Sequence, residues 1–142
     1  MKLTDNFSLE EVVYPEIHQR FGDSAIWFID MRIVNVAQYL RTSLKKSITI
    51  NNWHTGGQYK ESGLRSMITE TGGGLSQHKF GRALDLKVEG LTPYEVADFI
   101  KKNWQILSSI GLTTIENPDF TKSWNHIDCR YTGKKELLIV NP

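Results

Sequence analysis

The chain has 142 residues, 39% of them hydrophobic and 23% charged, which suits one compact domain over 1–142 with a core of its own. Seventeen basic residues against sixteen acidic ones leave a formal charge of +1, so no global field draws the protein to nucleic acid or to an anionic membrane. A single cysteine, Cys129, excludes an internal disulfide and a cysteine-rich zinc site, so any metal must rest on histidines and carboxylates.

The opening MKLTDNFSLEEVVYPEI carries acids where a signal peptide needs an apolar stretch, and no window approaches the roughly 18 apolar residues of a membrane span. The expected product is made in the cytoplasm without a signal peptide. Ser8, with Glu11 three residues later and Phe7 before it, predicts a short capped helix. From Ser24 to Leu44, Ile26, Phe28, Ile29, Ile33, Val36, Ala37, Tyr39 and Leu40 recur at helical spacing, which predicts one long scaffold helix. By the same spacing Trp27, Phe28, Phe99 and Trp104 are expected in the core. The β-branched run Ser47–Asn51 predicts a strand leading into the Gly56-Gly57 turn.

Six glycines fall between Trp53 and Ser76, with no apolar periodicity, and mark a long loop. Ala83–Val88 alternates as a strand does. Thr92, Pro93 and Glu95 then open a predicted helix that runs to about Ser109 and ends at Gly111. Leu112–Ile115 and Trp124–Arg130 predict an antiparallel pair joined by a turn through Asn117-Pro118-Asp119, and Glu136–Val140 an additional edge strand. Helices first and strands largely afterwards predict an α+β fold, with a small antiparallel sheet packed against helices.

Ser76-Gln77-His78-Lys79-Phe80-Gly81-Arg82-Ala83-Leu84-Asp85 sets a histidine and an aspartate seven apart, and Trp124-Asn125-His126-Ile127-Asp128 supplies a second histidine. A catalytic zinc takes three protein ligands from imidazole and carboxylate and leaves a fourth position for water, and His78, Asp85 and His126 make up that set. Residues two apart on a strand face the same way, so Asp128 is expected near any metal that His126 holds. Against these stand bland readings: His78 as a turn cap, Asp85 paired with Lys87 or Arg82, His126 as an ordinary strand histidine, and Asp128 bridged to Arg130. His18 and His54 lack matching partners and are left outside the site.

The two segments, S-x-H-x-x-G-x-A-x-D and, some forty residues later, W-x-H-I-D, resemble the D-Ala-D-Ala carboxypeptidase family of zinc peptidases. That family includes phage L-alanyl-D-glutamate endopeptidases and shares its fold with the zinc domain of hedgehog proteins. The resemblance implies one catalytic zinc on His78, Asp85 and His126, and hydrolysis of a peptide bond in bacterial peptidoglycan, after lysis or as part of a phage virion among phage proteins. It also implies an arginine near the substrate at Arg65, within S-G-L-R, to meet an oxyanion or a peptide carboxylate. Ser76 and Trp124, beside the motifs, are the expected substrate-binding residues. Many relatives carry an acid three residues before the last zinc histidine, where this chain has Ser123. The catalytic base is therefore open between Asp128 and Glu116, and a module that binds zinc or peptidoglycan without hydrolysis is the competing expectation.

Overall fold

Six helices and five strands make up the computed structural model, which describes residues 1–142. The helices are α1 (Leu9–Val12), α2 (Pro15–Phe21), α3 (Met31–Leu44), α4 (Pro93–Lys102), α5 (Trp104–Ile110) and α6 (Pro118–Thr121). The strands are β1 (Ile48–Thr49), β2 (Ala83–Val88), β3 (Thr114–Glu116), β4 (Asn125–Asp128) and β5 (Leu138–Val140), and they lie in the order β1-β2-β4-β3-β5. The architecture is thus α+β, as the order of elements predicts. Every neighbouring pair is antiparallel except β3 and β5, which run parallel, so the sheet is mixed rather than wholly antiparallel.

The period of two along the central strands sorts their side chains. Leu84 and Leu86 of β2, Ile115 of β3 and Ile127 of β4 join a buried cluster with Ile33, Val36, Ala37 and Leu40 of α3. The alternate positions on the other face hold polar groups instead. There the register sets Asp85 opposite His126, and Ala83 and Thr114 on either side of Asp128. Sheet pairing alone therefore brings one residue of each sequence motif into contact.

Two predicted helices are each divided by a residue whose side chain or backbone suits a break. The Ser24–Leu44 run starts as a 3₁₀ turn, Gly22–Phe28, and only then becomes α3, because Asp30 leaves helical geometry and its carboxylate accepts the Arg32 amide. At three residues per turn Trp27 and Phe28 rotate off the buried face, so their expected core placement is overturned: they are 78% and 41% exposed. Phe99 and Trp104 do pack against the core. Asn103 likewise splits the helix after Thr92 into α4 and α5. The turn after β3 contains α6, capped by Asn117, and α2 forms after Pro15 where no helix was expected.

Gly81 ties the scaffold to the first motif. Its φ of +66° lies in the left-handed region, its amide donates to the His78 carbonyl, and its own carbonyl accepts the Asp30 amide that begins α3. A Cβ at this position would collide with the Phe28 carbonyl. Gly81→Ala is expected to cost about 1–3 kcal/mol, since left-handed strain and a backbone clash act together. A melting temperature equal to that of the parent protein would refute this.

Candidate metal centre

His78 sits in a 3₁₀ turn, Gln77–Phe80, immediately before β2, and is 2% exposed. Its Nδ1–H donates to the Gly63 carbonyl at 2.9 Å, and since a carbonyl can only accept, the lone pair must lie on Nε2. Gly63 comes this close because it has no side chain: a Cβ there would strike the Val12 backbone of α1. His126 is oriented from the opposite nitrogen. Its Nε2–H donates to Asp128 Oδ2 at 3.0 Å, which turns Nδ1 toward Asp85 and His78.

The three donors make a nearly equilateral triangle. His78 Nε2 lies 3.2 Å from Asp85 Oδ1 and 3.2 Å from His126 Nδ1, and His126 Nδ1 lies 3.0 Å from Asp85 Oδ1. Zinc bonds of about 2.0–2.1 Å at tetrahedral angles would separate neighbouring donors by roughly 3.3–3.5 Å, only slightly more than is seen. Two neutral-capable imidazoles and one carboxylate, all buried, with both ring tautomers set by outer partners, fit one divalent cation of the zinc type. The fold thus brings together all three residues predicted as ligands.

The electrostatics agree with a site built for a cation. Burial lowers the pKa of His78 and keeps that ring neutral. Burial also opposes charge on His126, but its bonds to Asp128 and Asp85 outweigh it and lift the pKa to about 9. For Asp85 the penalty of burial is overcome by the two imidazoles, which hold its carboxyl far below the usual range. A proton on His126 Nδ1 consequently points into the triangle, shared by the other two donors, where a metal ion would compete with it. In the metal-free protein this raised value stabilises the fold fully below the ordinary value of 6.5, and the contribution fades as pH rises through about 9.

A metal must displace that proton, so the sign of the pH effect on binding is the reverse. Zinc binding should strengthen by about tenfold per pH unit up to about 9, with release of about one proton per ion at neutral pH. Calorimetric titration in buffers of different ionisation enthalpy measures that release. Proton-independent binding between pH 6 and 8 would contradict the ligand role of His126.

The other predicted residues fall in different places. Glu116 ends β3 and its Oε1 lies 3.8 Å from His126 Nδ1, on the side where the donors converge. Asp128 does share a face with His126, but it meets the far nitrogen, is 0% exposed, and has both oxygens engaged by the Arg130 guanidinium. The expectation that it stands beside the metal is corrected accordingly: Asp128 orients His126 from behind and has no access to water. Arg65, expected near the substrate, pairs with one of the three ligands. Its Nη2 donates to Asp85 Oδ2 at 3.0 Å and its Nε to the Glu61 carbonyl at 2.6 Å, and its side chain is only 10% exposed. Asp85 is therefore paired with Arg65 and not with Lys87 or Arg82.

Ser76 begins the 3₁₀ turn of His78, its carbonyl accepts the Lys79 amide, and it makes no bond to the three ligands. Trp124 borders an opening of about 300 Å³ that Asp85, Tyr59 and Lys87 also line. Tyr59 and Lys87 were not anticipated as parts of the site. Lys87 had a legible signal, since it lies two residues after Asp85 on the same strand; its Nζ donates to the Ile50 carbonyl and to Ser62 Oγ and sits 4.1 Å from the centre of the Tyr59 ring. Its burial lowers its pKa to about 8. His18 contacts Glu10, His54 is exposed, and neither joins the cluster. Cys129 is buried, which pushes its thiol up to about 12 and leaves it inert.

The chain matches no protein-family model, no curated protein and no solved structure. No helix is long and apolar enough to cross a membrane.

Proposed function

We propose that this chain is a zinc peptidase that hydrolyses a peptide bond in the stem peptides of bacterial peptidoglycan. The observation that carries the reading is the triangle of His78 Nε2, Asp85 Oδ1 and His126 Nδ1, with a carboxylate, Glu116, at its border and a cleft beside it. The motif resemblance to D-Ala-D-Ala carboxypeptidases and phage endopeptidases supplies the substrate class, and with it the hedgehog-like assignment of the fold. Its site of action is the cell wall, reached on lysis or as part of a phage virion.

Zinc on such a ligand set lowers the pKa of water to about 7 and polarises a carbonyl. The protein's own groups divide the remaining work. Glu116 accepts the proton of the attacking water and returns it to the leaving amine, because it is the carboxylate on the open side of the ligands that has solvent access. Asp128 and the Gly63 carbonyl hold the two imidazoles in the tautomers that present lone pairs. Arg65 is a positioning residue, aligning the Asp85 carboxylate through Oδ2 so that Oδ1 faces the histidines. Tyr59, Lys87 and Trp124 form the wall along which a peptide lies.

A second reading, a zinc module that hydrolyses nothing, draws on Ser123 in the place where many members of the peptidase family that the motifs resemble have an acid. The two part on one assay: purified protein incubated with peptidoglycan, with and without chelator. New free amines that chelator suppresses and added zinc restores are expected. Intact peptidoglycan at full zinc occupancy would favour the second reading.

A further inference from the structure

A second concavity, of about 450 Å³, lies where the loop after β4 meets the start of β2. Of its ten lining residues five are cationic, Arg32, Arg82, Arg130, Lys134 and Lys135, and none is acidic. The whole chain is nearly balanced, 17 basic against 16 acidic, so this segregation is local and is not a consequence of composition. Two of the five are neutralised at short range: Arg32 by a forked pair with Asp30, and Arg130 by its pair with Asp128. The other three, Arg82, Lys134 and Lys135, are exposed and form no ion pair, and their side chains donate no hydrogen bond within the protein.

Single solvated cations on a surface need no explanation. Three of them converging on one hollow do, because like charges raise one another's energy and a hollow focuses their field. Arg82 arrives from the turn before β2, and Lys134 and Lys135 from a loop some fifty residues later, so tertiary folding and not a sequence run gathers them. In that loop the amides of Tyr131, Thr132 and Gly133 donate to no protein acceptor, which leaves three unpaired backbone donors on residues that line the hollow. One free guanidinium, two ammonium groups and unpaired amides together suit the several oxygens of a tetrahedral oxyanion better than one flat carboxylate.

We propose that this hollow is a binding site for a compact phosphate-bearing ligand, held by Arg82, Lys134 and Lys135 against the backbone of residues 131–133. The site is separate from the metal centre, and the proposal does not rest on the peptidase reading. A long nucleic acid fits less well, since the positive charge is confined to one hollow of a chain of net charge +1 and forms no extended stripe.

Calorimetry on chelator-treated protein, in which phosphate cannot report a bound metal, tests this with inorganic phosphate, tripolyphosphate, acetate and a single-stranded oligonucleotide as probes. Tripolyphosphate is expected to bind one-to-one, about tenfold tighter than inorganic phosphate and tighter still than acetate. The triple variant R82Q/K134Q/K135Q should lose about tenfold or more in tripolyphosphate affinity, while K45Q/K46Q, which removes two exposed charges elsewhere, should bind as the parent does. Circular dichroism verifies that both variants fold, and amide shift changes in the parent protein should cluster at residues 82 and 130–135. A smaller loss in the triple variant, an equal loss in the control, or shifts centred elsewhere would each overturn the site. Tighter binding of the oligonucleotide than of tripolyphosphate through the same three residues would overturn it in favour of nucleic acid.

Discussion

His126→Ala protein is expected to purify without stoichiometric zinc, and His78→Ala protein likewise. Structural zinc binding is worth about 10–16 kcal/mol for four ligands, so one ligand carries roughly 2.5–4 kcal/mol, a factor of about sixty to a thousand in affinity. The folded state should survive either change. Removal of His126 leaves two buried carboxylates near each other, but each keeps an arginine, Asp85 with Arg65 and Asp128 with Arg130. Loss of His78 frees the Gly63 carbonyl and removes one acceptor of the His126 Nδ1 proton, which keeps Asp85 Oδ1. Metal analysis after dialysis against sub-micromolar zinc reads the outcome, with circular dichroism as the check on folding. Stoichiometric zinc in both variants would mean that the convergence of Nε2, Oδ1 and Nδ1 has nothing to do with metal.

Glu116→Gln should leave zinc content unchanged and reduce turnover by about a hundred- to ten-thousand-fold, the range for removal of a general base. The amide keeps the shape and the hydrogen-bonding reach of the acid, so what is lost is the capacity to take a proton. Asp128→Asn should behave in the opposite way. It removes the charge behind His126 and leaves Arg130 facing a neutral group, so zinc affinity should fall by about ten- to a hundredfold, while turnover recovers once zinc is saturating. Steady-state rates at several zinc concentrations separate the two carboxylates. If Asp128→Asn stays inactive at saturating zinc and Glu116→Gln stays active, the roles assigned from their positions around His126 are reversed.

The two variants differ because an imidazole has two faces to offer. Strand alternation correctly sets Asp128 on the same side of β4 as His126, while Glu116 was a candidate through the family resemblance, as the glutamate that ends the preceding strand. The choice between them depends on which ring nitrogen each meets. Asp85 across the sheet draws Nδ1 inward, and Asp128, anchored by Arg130, takes Nε2. Arg65 illustrates the same point. Its position in a glycine-rich loop says nothing about its partner, and the loop folds back to lay the guanidinium on the metal-facing aspartate.

Much of the fold follows local rules. The capping pair Ser8 and Glu11, the Thr92-Pro93-Glu95 start of α4, the alternating Ala83–Val88 strand and the edge strand near the C-terminus were all legible from residue type and spacing. The division of the Ser24–Leu44 run was not. Apolar spacing counts the same in a 3₁₀ turn and an α-helix over a few residues, and only the lock between Asp30, Gly81 and the His78 turn decides where α3 begins.

The sequence by itself determined the candidate ligand types, because its two motifs offer a metal only histidines and carboxylates, Asp128 among them, and a lone cysteine excludes a thiolate site. It determined the strand that carries Asp85 and the strand that carries His126, since alternation is a property of neighbouring residues. Only the tertiary structure decided that the donors of His78, Asp85 and His126 meet within 3.2 Å, which carboxylate faces the metal side, and that Arg82 shares one hollow with the distant pair Lys134 and Lys135. Those facts depend on strand register and on loop return, which are set by the packing of the whole core, and no window of sequence contains them.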